Sequence, residues 1–285
     1  MSKMFLTNKM KCLNFIYKMI YISMKIIERE AKSIFTKTKI PGLDYTINQY
    51  VGCEHKCLYC YAKFINKWKN YGDWGSWIEV KSNAPELVRK KVKGTVSMSS
   101  VSDPYQPIEK ELCLTRNVLI NMDKDTELSI LTKSDLVTRD IDVLKEFKNL
   151  EVGLTISGFS DGVRKILEPY APHHEARVSA LKMLKEAGIK TYCFISPVIP
   201  MLTMVKKSVM DTVDFVDSYI IEFINFSLSG DKFKKIIRNE FPETLKVIRN
   251  KKLMWNYIDT ISSYLYRNKV PVSAFVTHMK KRYWE

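Results

Sequence analysis

Six β-rich stretches separated by helix-patterned ones leave this chain few ways to fold. They read DYTINQYV (44–51), TVSMSS (95–100), ELSILT (127–132), EVGLTIS (151–157), KTYCFISP (190–197) and SYIIEFIN (218–225). Helices are predicted between them at about 115–122, 135–148, 173–187 and 204–217. In the third, Ala176, Ala180, Leu181, Leu184 and Ala187 form an apolar stripe at helical spacing, and Gly188 supplies the stop. Strands alternating with helices imply βα units and a parallel sheet. Right-handed crossovers curl such units into a barrel or an open wound sheet. A length of 285 residues suits one large domain of this kind, with or without a small appendage, and 46% hydrophobic content is enough for a sizeable core.

The flanks read differently. Residues 1–23 mix lysines with apolar residues. They have neither the long uncharged run of a membrane span nor the apolar stretch and cleavage site of a signal peptide, so stable membrane insertion is not expected. They are taken as a disordered or mis-assigned extension upstream of a true start at Met24. The core domain is expected over 24–230. Residues 231–285 are expected as a basic, helical C-terminal extension, with helices at 231–251 and 253–267 and a short strand near Val272–Val276. Thirteen Lys and Arg stand against five Asp and Glu from residue 230 onward. The whole chain carries +15, which fits either a solvated lysine-rich surface or a footprint for a polyanion such as nucleic acid. Within the core, a turn is expected at Lys39–Gly42, a short helix at 61–69, a loop at 70–75 and a basic helix opened by Pro85. Tyr71, Trp74 and Trp77 read as packing residues rather than a base-stacking platform.

The cysteines concentrate the chemistry. Cys53-Glu54-His55-Lys56-Cys57-Leu58-Tyr59-Cys60 comes directly after the first strand and places three of the six cysteines in one tight loop. Soft thiolates suit zinc or an iron–sulfur cluster. His55 could complete a Cys3His zinc set, although it lies inside the first cysteine interval rather than in the usual pair-plus-pair spacing. The other reading gives Cys53, Cys57 and Cys60 to three irons of a 4Fe-4S cluster and leaves the fourth iron open to a small molecule. Barrel active sites form on the loops after the strands. There the cysteine loop would meet Ser99, Ser100, Ser102 and Asp103 after strand two, Thr132, Lys133 and Ser134 after strand three, and Ser157 after strand four. Cys12, Cys113 and Cys193 are scattered. This is no disulfide framework, and a reducing cytoplasm is expected.

The CxxxCxxC spacing with an aromatic at Tyr59 resembles the signature of the radical SAM superfamily. Further stretches resemble its spore-photoproduct-lyase-like branch, often labelled DNA repair photolyase-related. These are Tyr50-Val51-Gly52-Cys53 with His55 and Cys60-Tyr61-Ala62; Ser102-Asp103-Pro104-Tyr105-Gln106-Pro107 with Glu109 and Leu114-Thr115-Arg116; Thr132-Lys133-Ser134 with Arg139-Asp140; and Glu168-Pro169 with Arg177, Ala180, Leu181 and Ala187-Gly188. The resemblance spans about residues 33–230. It implies a partial (β/α)6 barrel open at one side, a 4Fe-4S cluster on Cys53, Cys57 and Cys60, and S-adenosylmethionine on the open iron. It also implies that Tyr59 presents its backbone neighbourhood to the adenine. Ser100, Asp103, Lys133 and Ser157 are the expected S-adenosylmethionine contacts, since hydroxyls and an ammonium suit its carboxylate and ribose. Their alternative is structural: Ser100 and Ser157 satisfying backbone groups, Asp103 fixing the turn before Pro104. One position departs from the branch. Its lyases carry a radical-quenching cysteine near the end of the second strand, where this chain has SMSSVSDPYQ. A serine O–H is a poorer hydrogen-atom donor, so thymine-dimer repair is not implied.

The expected activity is reductive cleavage of S-adenosylmethionine to a 5'-deoxyadenosyl radical, fed by an electron donor such as a ferredoxin or flavodoxin. The substrate is open, nucleic acid being one candidate and a protein or small molecule another. A zinc-dependent nucleic-acid-binding protein is the rival from a different class.

Overall fold

The structure, a computed structural model, describes residues 24–279; the N-terminal extension expected over 1–23 lies outside the described residues. Its strands are β1 (Lys25–Arg29), β2 (Phe35–Lys37), β3 (Tyr45–Ile47), β4 (Tyr50–Val51), β5 (Trp77–Lys81), β6 (Val96–Met98), β7 (Leu128–Thr132), β8 (Leu150–Thr155), β9 (Lys190–Val198), β10 (Ser218–Phe223) and β11 (Val272–Val276). Eight of them form one sheet in the order β11-β10-β9-β8-β7-β6-β3-β2. The run β3, β6, β7, β8, β9, β10 is parallel throughout, each strand beside its predecessor in sequence. These are the six expected strands, in the order of a partial (β/α)6 barrel. The two edges stay apart: β11 adds parallel to β10, and β2 adds antiparallel to β3.

The first expected strand is split. Only Tyr45–Ile47 joins the barrel sheet, while β4 turns away to pair with β5 in a three-stranded sheet ordered β1-β5-β4. The turn is held by Asn48 and Gln49. Asn48 Oδ1 accepts the Ser100 and Val101 amides at 2.8 and 3.1 Å, and Gln49 Nε2 donates to Thr115 Oγ1 at 2.8 Å.

Helices were legible where an apolar stripe and caps coincided. His174–Glu186 buries Ala180, Leu181 and Leu184, and the His173 ring caps its first turn by accepting the Ala176 amide at 3.2 Å. The helix expected over 135–148 is instead a tight turn, Asp135–Asp140, followed by one helical turn, Ile141–Leu144. The chain there wraps the buried Asp140 carboxylate, which Arg116 and Arg139 hold at 3.0 and 2.7 Å. The 204–217 helix stops at Met210; beyond it, Thr212 Oγ1 donates back to the Ser208 carbonyl at 2.6 Å. The helix expected over 231–251 breaks into Asp231–Glu240 and Pro242–Arg249, because Pro242 cannot donate to the preceding turn. Lys251–Arg267 comes next, capped by Asn250 accepting the Leu253 amide at 3.1 Å. A helix at Asp161–Leu167 was not anticipated.

The largest core lies between the barrel sheet and its helices. Met254, Ile258, Ile261 and Leu265 of the last helix belong to it. A second cluster joins Phe159, Leu167, Ile199, Phe233 and Ile237, and the cysteine-loop residues Leu58 and Tyr59 rest on it. The Tyr59 and Phe233 rings meet edge to face at 6.4 Å. Among the described residues, no helix is long and apolar enough to cross a membrane.

Candidate active site

The cysteine loop is shaped before any thiol is considered. Gly52 sits at φ +93°, and a Cβ there would come 2.5 Å from the Trp77 carbonyl oxygen, so the chain can turn off β4 only at a glycine. Gln106 then clamps the first residues of the loop. Its Oε1 accepts the Glu54 amide at 2.9 Å, and its Nε2 donates to Ser102 Oγ at 2.9 Å and to the Gly52 carbonyl at 3.4 Å. Ser102 Oγ donates to the same Gly52 carbonyl at 2.7 Å. The loop's far end is pinned by the Leu58 amide, which donates to the Leu167 carbonyl at 2.9 Å.

All three loop cysteines line one cavity of about 220 Å³ at the C-terminal ends of the barrel strands. Cys57 is buried, Cys53 and Cys60 half-buried. Burial pushes all three thiols upward, Cys57 to about 12; the Lys133 ammonium acts in the opposite sense on Cys57 and Cys60. A metal bound here has to displace protons. Two buried polar atoms of the cavity wall face ionisable neighbours: His55 Nδ1 lies 3.4 Å from Asp103 Oδ2, and Trp74 Nε1 lies beside Cys60. Trp74 Nε1 faces Cys60, where an indole N–H favours the thiolate. A thiolate-bound cluster fits this donor set: three sulfurs on one loop, with an ammonium and an indole N–H beside them that favour thiolates.

Ser100, Asp103 and Lys133 line the cavity with Tyr59, as the sequence suggested; Ser157 does not. Its buried hydroxyl donates to the Ser196 carbonyl at 2.9 Å, tying the end of β8 to β9. Asp103 is heavily engaged. Its Oδ1 accepts Thr132 Oγ1 at 2.6 Å and the Tyr105 amide at 2.9 Å; its Oδ2 accepts the Lys133 amide at 2.8 Å and lies 3.4 Å from His55 Nδ1. Burial raises this carboxyl, but the His55 ring and these donors outweigh it and hold it down to about 2. Ser100 is bound through Asn48, whose Nδ2 reaches Ser100 Oγ at 3.2 Å. Lys133 Nζ lies 5.8 Å from the centre of the Tyr59 ring.

Tyr59 donates its hydroxyl to Glu168 Oε1, and Arg177 Nη2 donates to Glu168 Oε2. This buried tyrosine–glutamate–arginine chain roots the middle of the cysteine loop in the helix His174–Glu186.

The opposite wall was missed from sequence. Glu222 near the end of β10 accepts Ser196 Oγ at 2.8 Å and pairs with His278 Nε2 at 2.9 Å, and all three line the cavity with Asn225. The signal available was a glutamate inside SYIIEFIN; its partner lies 56 residues away and is brought near by β11. Among the described residues, Cys113 and Cys193 lie away from the cavity. Cys193 is buried within β9, and Cys113 sits 3.7 Å from Arg139 Nη1.

A parallel partial barrel with a three-cysteine loop at the C-terminal mouth of its strands defines a radical SAM protein. The chain belongs to the radical SAM superfamily, whose family model matches residues 47–216, and it is a radical SAM enzyme. That family brings S-adenosylmethionine and an iron–sulfur cluster. The chain is 48% identical to an uncharacterized protein of Methanocaldococcus jannaschii over 256 residues, covering 90% of this chain and 98% of that one. An uncharacterized protein of Mycobacterium tuberculosis is 27% identical over 172 residues, 56% of this chain and 51% of that one. Among solved structures, spore photoproduct lyase, in a mutant holding a dinucleoside spore photoproduct, superposes with TM-score 0.61 at 16% identity, covering 88% of this chain and 81% of that one. SuiB of Streptococcus suis bound to S-adenosylmethionine gives TM-score 0.50 at 15% identity, covering 82% and 50%. The fold expected from the resemblance is therefore the fold found.

Proposed function

We propose that Cys53, Cys57 and Cys60 hold a 4Fe-4S cluster with one iron left open for S-adenosylmethionine, and that the enzyme acts on a nucleic-acid substrate. That all three loop cysteines line one cavity at the strand ends, with the Lys133 ammonium and the Trp74 indole N–H beside them, carries the reading. When bound, the cluster and S-adenosylmethionine supply the reductive cleavage of a carbon–sulfur bond and a 5'-deoxyadenosyl radical, at the cost of one electron from a ferredoxin- or flavodoxin-like donor.

The protein's own part is positioning and shielding. Gln106 and Ser102 fix the start of the loop, Glu168 and Arg177 its middle. Tyr59, with Lys133 above its ring, walls the adenine side. Lys133 and the Ser100 hydroxyl offer a cation and a donor to S-adenosylmethionine. Asp103 sets the end of β7, from which Lys133 projects, and Ser157 acts from behind by holding β8 to β9. His55 serves the loop through Asp103, which supports the cluster over a Cys3His zinc site. A nucleic-acid substrate is supported by the +15 charge and by the dinucleoside bound in the spore photoproduct lyase structure. A base in a duplex would have to leave its stack to reach such a cavity.

Anaerobic reconstitution with iron and sulfide, then dithionite and S-adenosylmethionine, tests the core of this. The expected result is a brown protein with about four irons per chain that releases 5'-deoxyadenosine. A colourless protein holding about one zinc, with no nucleoside formed, would reject it.

A further inference from the structure

We propose that the outward face of the segment Tyr61–Trp68 is the docking surface for a small acidic electron-transfer protein; this rests on the cluster assignment above. The segment starts at the residue after Cys60. Its 3₁₀ helix, Tyr61–Lys67, buries Ala62 and Ile65. The larger aromatics go the other way: Tyr61 is 51%, Phe64 43% and Trp68 72% exposed. Three large rings in a row on the surface form a contiguous patch rather than scattered exposure. The rings also order one another. Tyr61 and Phe64 lie nearly parallel at 6.5 Å, and Phe64 meets Trp68 edge to face at 5.6 Å.

The row begins at the cavity and leaves it. Tyr61 is part of the cavity wall, while Phe64 and Trp68 are not. A substrate has to enter the cavity, but an electron donor has only to approach the cluster from outside. An exposed aromatic patch one short helix away from a ligand cysteine, and outside the cavity, suits the second kind of partner. In the step concerned, one electron leaves the reduced donor and enters the cluster; no bond is made or broken.

The charge around the rings selects the partner's sign. Between Cys60 and Asn70 there are three lysines and no acid; Lys67 is exposed, while Lys63 donates to the Leu58 carbonyl and Lys69 pairs with Glu79. Lys232, at the start of the helix Asp231–Glu240, lies near enough to Lys63 to act on it as a like charge. Lys69 and Lys25 stand over the Tyr71 ring at 5.7 and 5.5 Å. Three acids lie nearby, one of them the exposed Asp73 beside Gly72, whose carbonyl accepts from Asn66 at 3.2 Å. Glu79 is buried and already paired with Lys69 at 2.6 Å and Arg29 at 3.3 Å, and the exposed Asp231 lies 4.0 Å from Lys234. An aromatic centre with the exposed ammonium groups of Lys67, Lys232 and Lys25 around it has the anatomy of a small charge-steered interface, and redox encounters occupy the small end of interface sizes.

Stopped-flow reduction of the reconstituted holoenzyme tests this, following cluster bleaching with three reductants: dithionite, a reduced flavodoxin and a reduced ferredoxin. The variants are Lys67→Glu and Trp68→Ser. The expected result is a roughly ten-fold or greater fall in the second-order rate with at least one protein donor, a flatter salt dependence for Lys67→Glu, and unchanged reduction by dithionite. Wild-type rates with both protein donors in the variants would overturn the proposal. So would equal losses with dithionite, which would mean a damaged cysteine loop, or a parent enzyme that neither protein donor reduces. Variants that lose affinity for a single-stranded oligonucleotide or an anionic vesicle but keep their donor rates would assign the face to that partner and overturn it too. Failure of the cluster assignment is distinct: the parent would then show no bleaching with dithionite.

Discussion

Replacing Arg177 with methionine should destabilise the protein by about 3–5 kcal/mol, the cost of leaving a buried charge without its partner. Arg177 is 3% exposed and Glu168 fully buried. Besides the ion pair, Arg177 Nη1 donates to the Thr155 carbonyl at 3.0 Å and Nε to the Pro172 carbonyl at 2.8 Å. Burial by itself raises the Glu168 carboxyl. The charges of Arg177 and Lys133, with hydrogen bonds from Arg177 and Tyr59, reverse this and bring it from 4.5 to about 2. At about 1.4 kcal/mol per pH unit, that displacement corresponds to about 3–4 kcal/mol, in line with the first figure and a large part of the roughly 5–15 kcal/mol that holds a domain folded. In the wild type the depressed carboxyl contributes its full stabilisation above pH 4.5 and loses it as the pH falls toward 2. In Arg177→Met, burial faces only Lys133 and Tyr59, the carboxyl rises, and ionising it at neutral pH works against folding. The gap between the two proteins should therefore be widest near neutrality and narrow on acidification. Anaerobic urea unfolding of the reduced apoproteins, monitored by circular dichroism at pH 4.5 and pH 7.5, measures it. A gap under about 1 kcal/mol at pH 7.5, below the range for a broken buried pair, or one that fails to shrink at pH 4.5, would refute the reasoning. The double variant Arg177→Met with Glu168→Gln removes both charges and should recover part of the loss.

Gly52→Ala should cost at least about 2 kcal/mol, from strain at a positive φ and the contact with the Trp77 carbonyl, and should lower the iron bound on reconstitution. Gly162→Ala is its control: nothing lies within 4 Å of the added Cβ, and stability should rise by about 0.5–1 kcal/mol because the site is helical. Cys57→Ala should abolish cluster content and S-adenosylmethionine cleavage while Cys113→Ala keeps both, read by iron analysis and nucleoside release; loss of iron in Cys113→Ala would break the ligand assignment. Ile258→Ala, 3% exposed on the last helix, should cost about 2–5 kcal/mol in urea unfolding, because that helix packs into the main core.

What could be read from sequence was what is local. The six barrel strands are short apolar runs bounded by turns, and their order in the sheet matches their order in the chain. The cysteine loop is eight consecutive residues. The features that escaped depend on partners distant in sequence. Asn48 and Gln49 break the first strand by bonding to residues more than 50 positions away. Asp140 disrupts a helix-like pattern because two arginines, one of them from another segment, hold it. Ser157 has the right type and the right strand end, but its hydroxyl is spent on the Ser196 carbonyl. β1 and β5 escaped because they stand outside the alternation of strands and helices: among the described residues they pair with each other and with the two residues of β4.

The residues that carried the family resemblance beyond the cysteines have a common physical task. Ser102 and Gln106 bond to the backbone of Gly52 and Glu54, and Asp103 to the backbone of Tyr105 and Lys133. Glu109 takes the Tyr50 hydroxyl at 2.6 Å and the Arg139 guanidinium at 2.6 Å just before the loop begins. None of these bonds needs a substrate; those of Ser102 and Gln106 hold the start of the cysteine loop, and the others hold the strand ends and turns around it. The family match ends at residue 216; on the wall facing the cysteines, Glu222, Asn225, Leu228 and His278 lie beyond it and join Ser196 from within it. Generating a radical requires the same loop geometry whatever is attacked, whereas holding the attacked molecule depends on its own polar groups. The Glu222–His278 pair therefore belongs to the part of the cavity that the family match does not reach.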